Sequence, residues 1–345
     1  MSIKQLMRPD LVDLCGYPTG RSDKQNVRLH ANESAWDPLL DYGWQLNHYP
    51  PKYPVELIKQ LSQRYKVSSD QLILTRGSDD GIDILSRLFL IPSQDSIITC
   101  PPTFVMYSIY ARIQGAGIIE CPLKTNDFSL DESAIATAVE VKTSKLLYLC
   151  RPNNPTGNTI HLDRVATICH QAKNKVMVVV DEAYIEFSKQ ESATRLLDQF
   201  DNLIVLRTLS KAYGLAGLRL GVVIANNEVI NRIEAILPPF PYSTPVLELA
   251  RESFEQCQNF TAKIELVCQQ REWLSQALSQ LSLIKKIWPS DANFVLIQVD
   301  NSQLVVDYLA EQRMLVKAIS PTLIRLSIGT EEHNQNLFNA LARYR

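Results

Sequence analysis

The most reactive candidate in the chain is Lys211, in Thr208-Leu209-Ser210-Lys211-Ala212-Tyr213-Gly214, just beyond the apolar run Leu203 to Leu206. An amine held in a desolvated, cation-rich pocket loses proton affinity and becomes a nucleophile toward an aldehyde. A Ser-Lys pair alone describes many solvated surface lysines, so its companions decide the matter. Asp181 closes the most apolar run of the chain, Val176 to Val180. That is a costly place for a carboxylate without a partner. Tyr184 follows three residues later, and Asn154 stands in Asn153-Asn154-Pro155-Thr156-Gly157 after a third apolar run. Gly77-Ser78-Asp79 opens a helical pattern, where free N–H groups and the helix dipole favour an anion and Gly77 lets the backbone come close. Ser210 can add a hydroxyl and Arg219, between Leu218 and Leu220, a bidentate guanidinium. Phe104, after Pro101-Pro102-Thr103, offers an aromatic face. Singly, each has an ordinary explanation: a helix cap, a turn or core packing.

Together they answer to one cofactor, pyridoxal 5'-phosphate. Lys211 would form a Schiff base with its aldehyde. Asp181 would keep its pyridine nitrogen protonated, making the ring an electron sink. Asn154 and Tyr184 would reach its phenolic oxygen and Phe104 would stack on the ring. Gly77, Ser78, Asp79, Ser210 and Arg219 would cradle the phosphate. The competing glycine signature of dinucleotide sites, GxGxxG after the first strand, is absent. Lys211, Asp181 and Tyr184 are therefore the expected catalytic residues, with Lys211 as general base. No metal is expected.

Short apolar runs alternating with helical patterns position these residues. Gln71 to Thr75, Ser96 to Cys100, Lys145 to Cys150, Val176 to Val180, Leu203 to Leu206 and Gly221 to Ala225 read as strands. Continuous apolar strands between helices imply an α/β fold with a mostly parallel central sheet covered on both faces. In such sheets the ligand lies beyond the carboxyl ends of the strands, where the polar residues above stand. After Pro245 the texture changes. Val246 to Trp288 has neither proline nor glycine and suits two helices or one bent one, with strands at Asn293 to Ile297 and Leu323 to Ser327. The expected division is an N-terminal arm (1–30) packing with the small domain, a large cofactor-binding domain (31–244) and a smaller α+β C-terminal domain (245–345).

Composition narrows the class. The formal net charge is only -2 and no basic run occurs, which argues against nucleic-acid and membrane-surface partners. The first twenty residues contain no uninterrupted apolar core of a signal peptide, and no stretch nears the ~18 apolar residues of a membrane span. Seven scattered cysteines without a CxxC pair suit reduced thiols rather than a disulfide framework. A cytoplasmic enzyme acting on small molecules is expected.

At these residues the chain resembles the fold-type I aminotransferases and, more narrowly, the histidinol-phosphate aminotransferase family. The matching strings include Leu29-His30-Ala31-Asn32-Glu33, Tyr49-Pro50, Arg76 to Ile82, Cys100 to Tyr107, Pro152 to Gly157, Asp181 to Phe187, Arg207 to Ala212, Ala216 to Arg219, Ser243 to Val246 and Ile324 to Gly329. They follow the family's order from residue 17 onward. The resemblance implies a homodimer in which Tyr49 reaches the cofactor phosphate of the partner's site. It implies transamination of L-histidinol phosphate with 2-oxoglutarate, giving imidazole acetol phosphate and glutamate in histidine biosynthesis. Tyr17, Asn32 and Arg325 become substrate-side residues. Two positions depart: Phe104 stands where the family often has tyrosine, and Lys317 where it commonly has a second arginine. Lysine keeps the charge without the bidentate fork. An aromatic aminotransferase, a phosphothreonine-type decarboxylase and a non-catalytic binding or regulatory protein remain alternatives at this point. Intact Lys211 argues against the last.

Overall fold

The computed structural model describes residues 3–17, 28–256 and 258–344. Seven strands build the main sheet: β1 (Leu72–Thr75), β2 (Ser96–Thr99), β3 (Gly117–Glu120), β4 (Ser144–Cys150), β5 (Met177–Asp181), β6 (Leu203–Thr208) and β7 (Gly221–Ala225). They lie in the order β1-β7-β6-β5-β4-β2-β3. Strands β2 to β6 pair in parallel, whereas β7 runs antiparallel to both β6 and β1.

The unbroken apolar runs follow from two buried faces. Leu147, Leu149, Val178, Val180, Val205 and Val222 enter one core. Their neighbours Leu146, Tyr148, Met177, Val179, Ile204 and Val223 enter the other. Because side chains alternate along a strand, every position must be apolar when both faces are covered. The first core is covered by α1 (Val55–Tyr65), α4 (Glu132–Val139), α5 (Leu162–Gln171) and α7 (Thr244–Glu255). The second is covered by α2 (Ser78–Phe89), α3 (Met106–Ile113) and α6 (Asn227–Ile236).

Beyond α7 come α8 (Gln258–Leu278), β8 (Lys286–Ile287), β9 (Phe294–Gln298), α9 (Ser302–Glu311), β10 (Lys317–Ser320), β11 (Leu323–Ser327) and α10 (Glu331–Arg343). Strands β10-β11-β9-β8 form an antiparallel sheet. Its core joins Leu274 and Leu278 to Val295, Ile297, Ile324, Leu326, Leu337 and Leu341. The proline- and glycine-free stretch forms two helices. Of these, α7 and Phe260 of α8 pack into the main core, while the end of α8 packs into the small one.

Residues 3–17 lie on the main unit rather than on the small one, as had been expected of the arm. Ile3, Leu6 and Met7 join the second core, Arg8 N donates to Leu88 O at 3.0 Å, and Arg232 donates to Val12 O. Residues 18–27 of that arm lie outside the described residues. The short edge strands β3 and β10 escaped the sequence pattern because four half-exposed residues carry too little periodicity.

Candidate active site

Parallel pairing sets Cys150 opposite Asp181 and Asp181 opposite Leu206, so β4, β5 and β6 end side by side. The loops that leave them bring Asn154, Asp181, Tyr184 and Lys211 to one cavity of about 210 Å3. Ser78 and Asp79 reach it from the start of α2, Ser210 and Arg219 from the β6–β7 connection, Phe104 from the segment before α3 and Arg325 from β11.

Asp181 is almost completely buried, and both carboxylate oxygens are occupied. Oδ2 accepts from the Tyr107 hydroxyl at 2.7 Å and Oδ1 from Ala183 N at 3.1 Å. Burial nevertheless pushes the group up to about 6, with the two hydrogen bonds opposing that rise. A cation beside it would relieve the cost. Lys211 is solvent-accessible, with its amine 5.6 Å from the centre of the Tyr184 ring. Partial burial, followed by the nearby Arg325 charge, lowers its proton affinity. Burial, with Cys150 next, raises the Tyr184 phenol, which remains protonated.

The anion-binding features also converge. Gly77 caps α2 with φ 87°, a conformation that few side-chain-bearing residues adopt. A Cβ there would lie 2.7 Å from Arg219 Nη2. Arg219 Nη1 sits 3.4 Å from Ser210 Oγ and Nη2 3.4 Å from Asp79 Oδ2. The first N–H groups of α2, the Ser210 hydroxyl and a guanidinium thus share one corner of the cavity.

Arg325 Nη1 donates to Asn154 Oδ1 at 2.5 Å, and its guanidinium lies 5.3 Å from the Phe294 ring centre. Since arginine only donates, this bond orients the Asn154 amide and leaves its NH2 for an acceptor. Lys317 is exposed and does not line the cavity, but it pairs directly with Arg325 across β10 and β11. Directly opposed residues share a sheet face with Cβ atoms roughly 5 Å apart.

Behind the strand ends lies a charge cluster that sequence reasoning did not assign. Glu182 accepts from Arg151 at 2.7 Å and Arg207 at 3.4 Å, and Glu186 accepts from Arg207 at 2.6 Å. Arg151 and Glu182 have no exposed surface. Two cations and two anions offset one another and lock the loops after β4, β5 and β6 together. Tyr107, Cys150, Ala183 and Thr208 were also missed; the last three line the cavity and Tyr107 stands behind it, on Asp181. Tyr107 stands three residues beyond Phe104, in the first turn of α3, a proximity that could have drawn attention to it.

Besides Lys317, three further expected residues lie outside the cavity of this chain. Tyr17 and Asn32 are exposed and outside the cavity, and Tyr49 stacks on Phe240 with ring centres 4.4 Å apart. Among the described residues no group of three or more His, Cys, Asp or Glu could hold a metal, and no helix is long and apolar enough to cross a membrane.

A phosphorylated pyridine aldehyde fits this donor set. Among the described residues the buried carboxylate makes no ion pair and the Asn154 NH2 makes no hydrogen bond, the phosphate corner is formed, and the lysine is accessible. Comparisons with known proteins agree in kind. The model of the family described as aminotransferase class I and II matches residues 17–341. The chain is 42% identical to histidinol-phosphate aminotransferase 1 of Legionella pneumophila (strain Lens), covering 100% of this chain and 96% of that one. It is 38% identical to the histidinol-phosphate aminotransferase of Francisella philomiragia, covering 99% and 95%. Histidinol-phosphate aminotransferase from Sinorhizobium meliloti, solved in complex with pyridoxal-5'-phosphate, has the same fold. Its TM-score is 0.80 at 21% identity, covering 90% of this chain and 88% of that chain.

Proposed function

Since this chain belongs to the class I and II aminotransferases, we propose that it transfers the amino group of L-histidinol phosphate to 2-oxoglutarate. The products are imidazole acetol phosphate and glutamate, a step of histidine biosynthesis. The observation that carries this reading is the meeting, in one cavity, of an accessible lysine, a buried carboxylate, an anion corner and an arginine from the second sheet.

Pyridoxal 5'-phosphate, when bound, supplies an aldehyde for the amino group and a ring that takes up charge. Lys211 Nζ would hold that aldehyde, and as a free amine it would take up and return the substrate Cα proton. Its lowered proton affinity supports this role, because a free amine is needed to accept the proton. Asp181 would pair with the ring nitrogen, and Asn154 with Tyr184 would reach the phenolic oxygen. Phe104 would offer the ring an aromatic face. The N–H groups of Gly77, Ser78 and Asp79, with Ser210 and Arg219, would hold the phosphate. Arg325 grips carboxylate or phosphate through its planar fork, and Lys317 adds a point charge on the same sheet face. Tyr17 and Asn32 complete the substrate side. The enzyme works as a cytoplasmic homodimer, with Tyr49 directed to the partner's cofactor phosphate.

A half-reaction screen of candidate amines, followed by cofactor absorbance and product analysis, tests the reading. Histidinol phosphate is expected to react far better than histidinol or phenylalanine. Arg325→Ala should slow both half-reactions by about one to two orders of magnitude, and Lys317→Ala mainly the phosphate-bearing one. Equal kinetics for histidinol and its phosphate would point to an aromatic aminotransferase, and release of carbon dioxide from phosphothreonine to a decarboxylase.

A further inference from the structure

Tyr107 has no exposed surface, and its hydroxyl lies 2.7 Å from Asp181 Oδ2. An ionised carboxylate can only accept, so the hydroxyl donates. The phenol stays protonated, because burial and then the Asp181 charge push it up. The ring is held on two sides. It stacks on Tyr148 with centres 4.6 Å apart and planes 9° off parallel, and meets Phe104 edge-on at 5.6 Å and 84°. Tyr107 therefore touches two of the residues assigned to the cofactor ring while standing outside the cavity itself.

Resting on the pyridoxal phosphate reading above, we propose that Tyr107 is a positioning residue that keeps Asp181 ionised and aimed at the pyridine nitrogen while backing the Phe104 ring. The surroundings of Asp181 leave this task to few groups. Cys150 on β4 is a neutral thiol, pushed up to about 12 by burial. Asp79 on α2 and Glu182 after β5 oppose a further negative charge. Lys211 and Tyr184 stand on the cavity side. Among the described residues, only the Tyr107 hydroxyl and the Ala183 N–H donate to the carboxylate and favour its charged form. The second is backbone, so Tyr107 is the side chain through which the carboxylate is tuned.

The test is equilibrium binding of pyridoxal 5'-phosphate to the cofactor-stripped full chain across about pH 5 to 8.5. Wild type, Tyr107→Phe and protein carrying difluorotyrosine at position 107 are compared. Tyr107→Phe keeps the ring that supports Phe104 and removes only the donor. It should bind the cofactor about tenfold to a hundredfold more weakly near neutral pH. The acid limb of its binding profile should move up by about one pH unit or more. Difluorotyrosine, a stronger donor of nearly the same shape, should move that limb the other way. Nitrogen-15 NMR of ring-labelled cofactor should show less protonated pyridine nitrogen in Tyr107→Phe at equal pH. Binding profiles and ring spectra that superimpose on wild type in a folded variant would overturn the proposal. Should Tyr107→Phe not fold, an unshifted profile in the difluorotyrosine protein would do so alone. Failure of wild type to bind the cofactor would instead remove the cofactor reading, and the proposal with it.

Discussion

Asp181 illustrates what a sequence can and cannot say about one residue. A carboxylate after five apolar residues announces a buried charge that needs a partner, and the structure buries it to 2% exposure. The chain order gives no hint that Tyr107, 74 residues earlier, donates to it. The same group gives a linkage prediction. In the cofactor-free protein Asp181 binds its proton more tightly folded than unfolded, with a midpoint of about 6 against 3.8. Folding therefore takes up a proton between these values, and stability falls as pH rises through that window. The loss is on the order of 3 kcal/mol, complete above the folded midpoint. Asp181→Asn should lack this component, so the stability of wild type relative to the variant should decline by roughly that amount from pH 4 to 7 in urea unfolding of the stripped proteins. The variant should also lose most of its transamination rate with saturating cofactor, because a neutral amide cannot hold the pyridinium proton. A parallel pair of pH-stability curves, or near-normal turnover, would contradict the assignment.

At the scale of elements, the strands read well because burial on both faces forces unbroken apolar runs, and the helices between them carry the other signal. What the pattern does not encode is close approach between backbones. Gly221 opens β7 opposite Thr75 of β1, and a Cβ on it would run into the backbone of Gly77 and Ser78. The phosphate corner thus depends on a missing methyl group in a neighbouring strand. Gly221→Ala must push the start of α2 outward or distort the β1–β7 pair. Overpacking of this kind typically costs about 1–3 kcal/mol. We expect a lower melting temperature and, at temperatures where the variant is folded, weaker retention of pyridoxal phosphate on dialysis. Unchanged retention would mean that the α2 N-terminus does not hold the phosphate. The charge cluster of Arg151, Glu182, Arg207 and Glu186 was illegible for a related reason: its members are spread over 56 residues of sequence and meet only because three parallel strands end in register.

At the scale of the whole molecule, residues from both sheets close one cavity, with Arg325 crossing from the small sheet to Asn154 of the large unit. The segment 28–54 leaves several large apolar side chains open to solvent. Leu29, Trp36 and Leu39 are 86%, 80% and 104% exposed, with Leu40 and Tyr42 also open to solvent. Several large exposed apolar side chains within one short segment suit an interaction surface, and identical subunits pair most often through a twofold interface. Tyr49 belongs to this segment, where it stacks on Phe240 and does not line its own chain's cavity. If each site takes Lys211 from one chain and Tyr49 from the other, two defective chains can repair each other. Tyr49→Ala should weaken cofactor binding and Lys211→Ala abolish turnover, each in its own homodimer. After subunit exchange of equal amounts, half of the dimers are hybrids and each carries one intact site, so activity should return to about a quarter of wild type at limiting cofactor. Sedimentation should show a dimer that Trp36→Asp or Leu39→Asp weakens. No recovery on mixing, with exchange verified by mass, would place Tyr49 outside the partner's site, and a monomeric wild type would exclude the shared-site arrangement altogether.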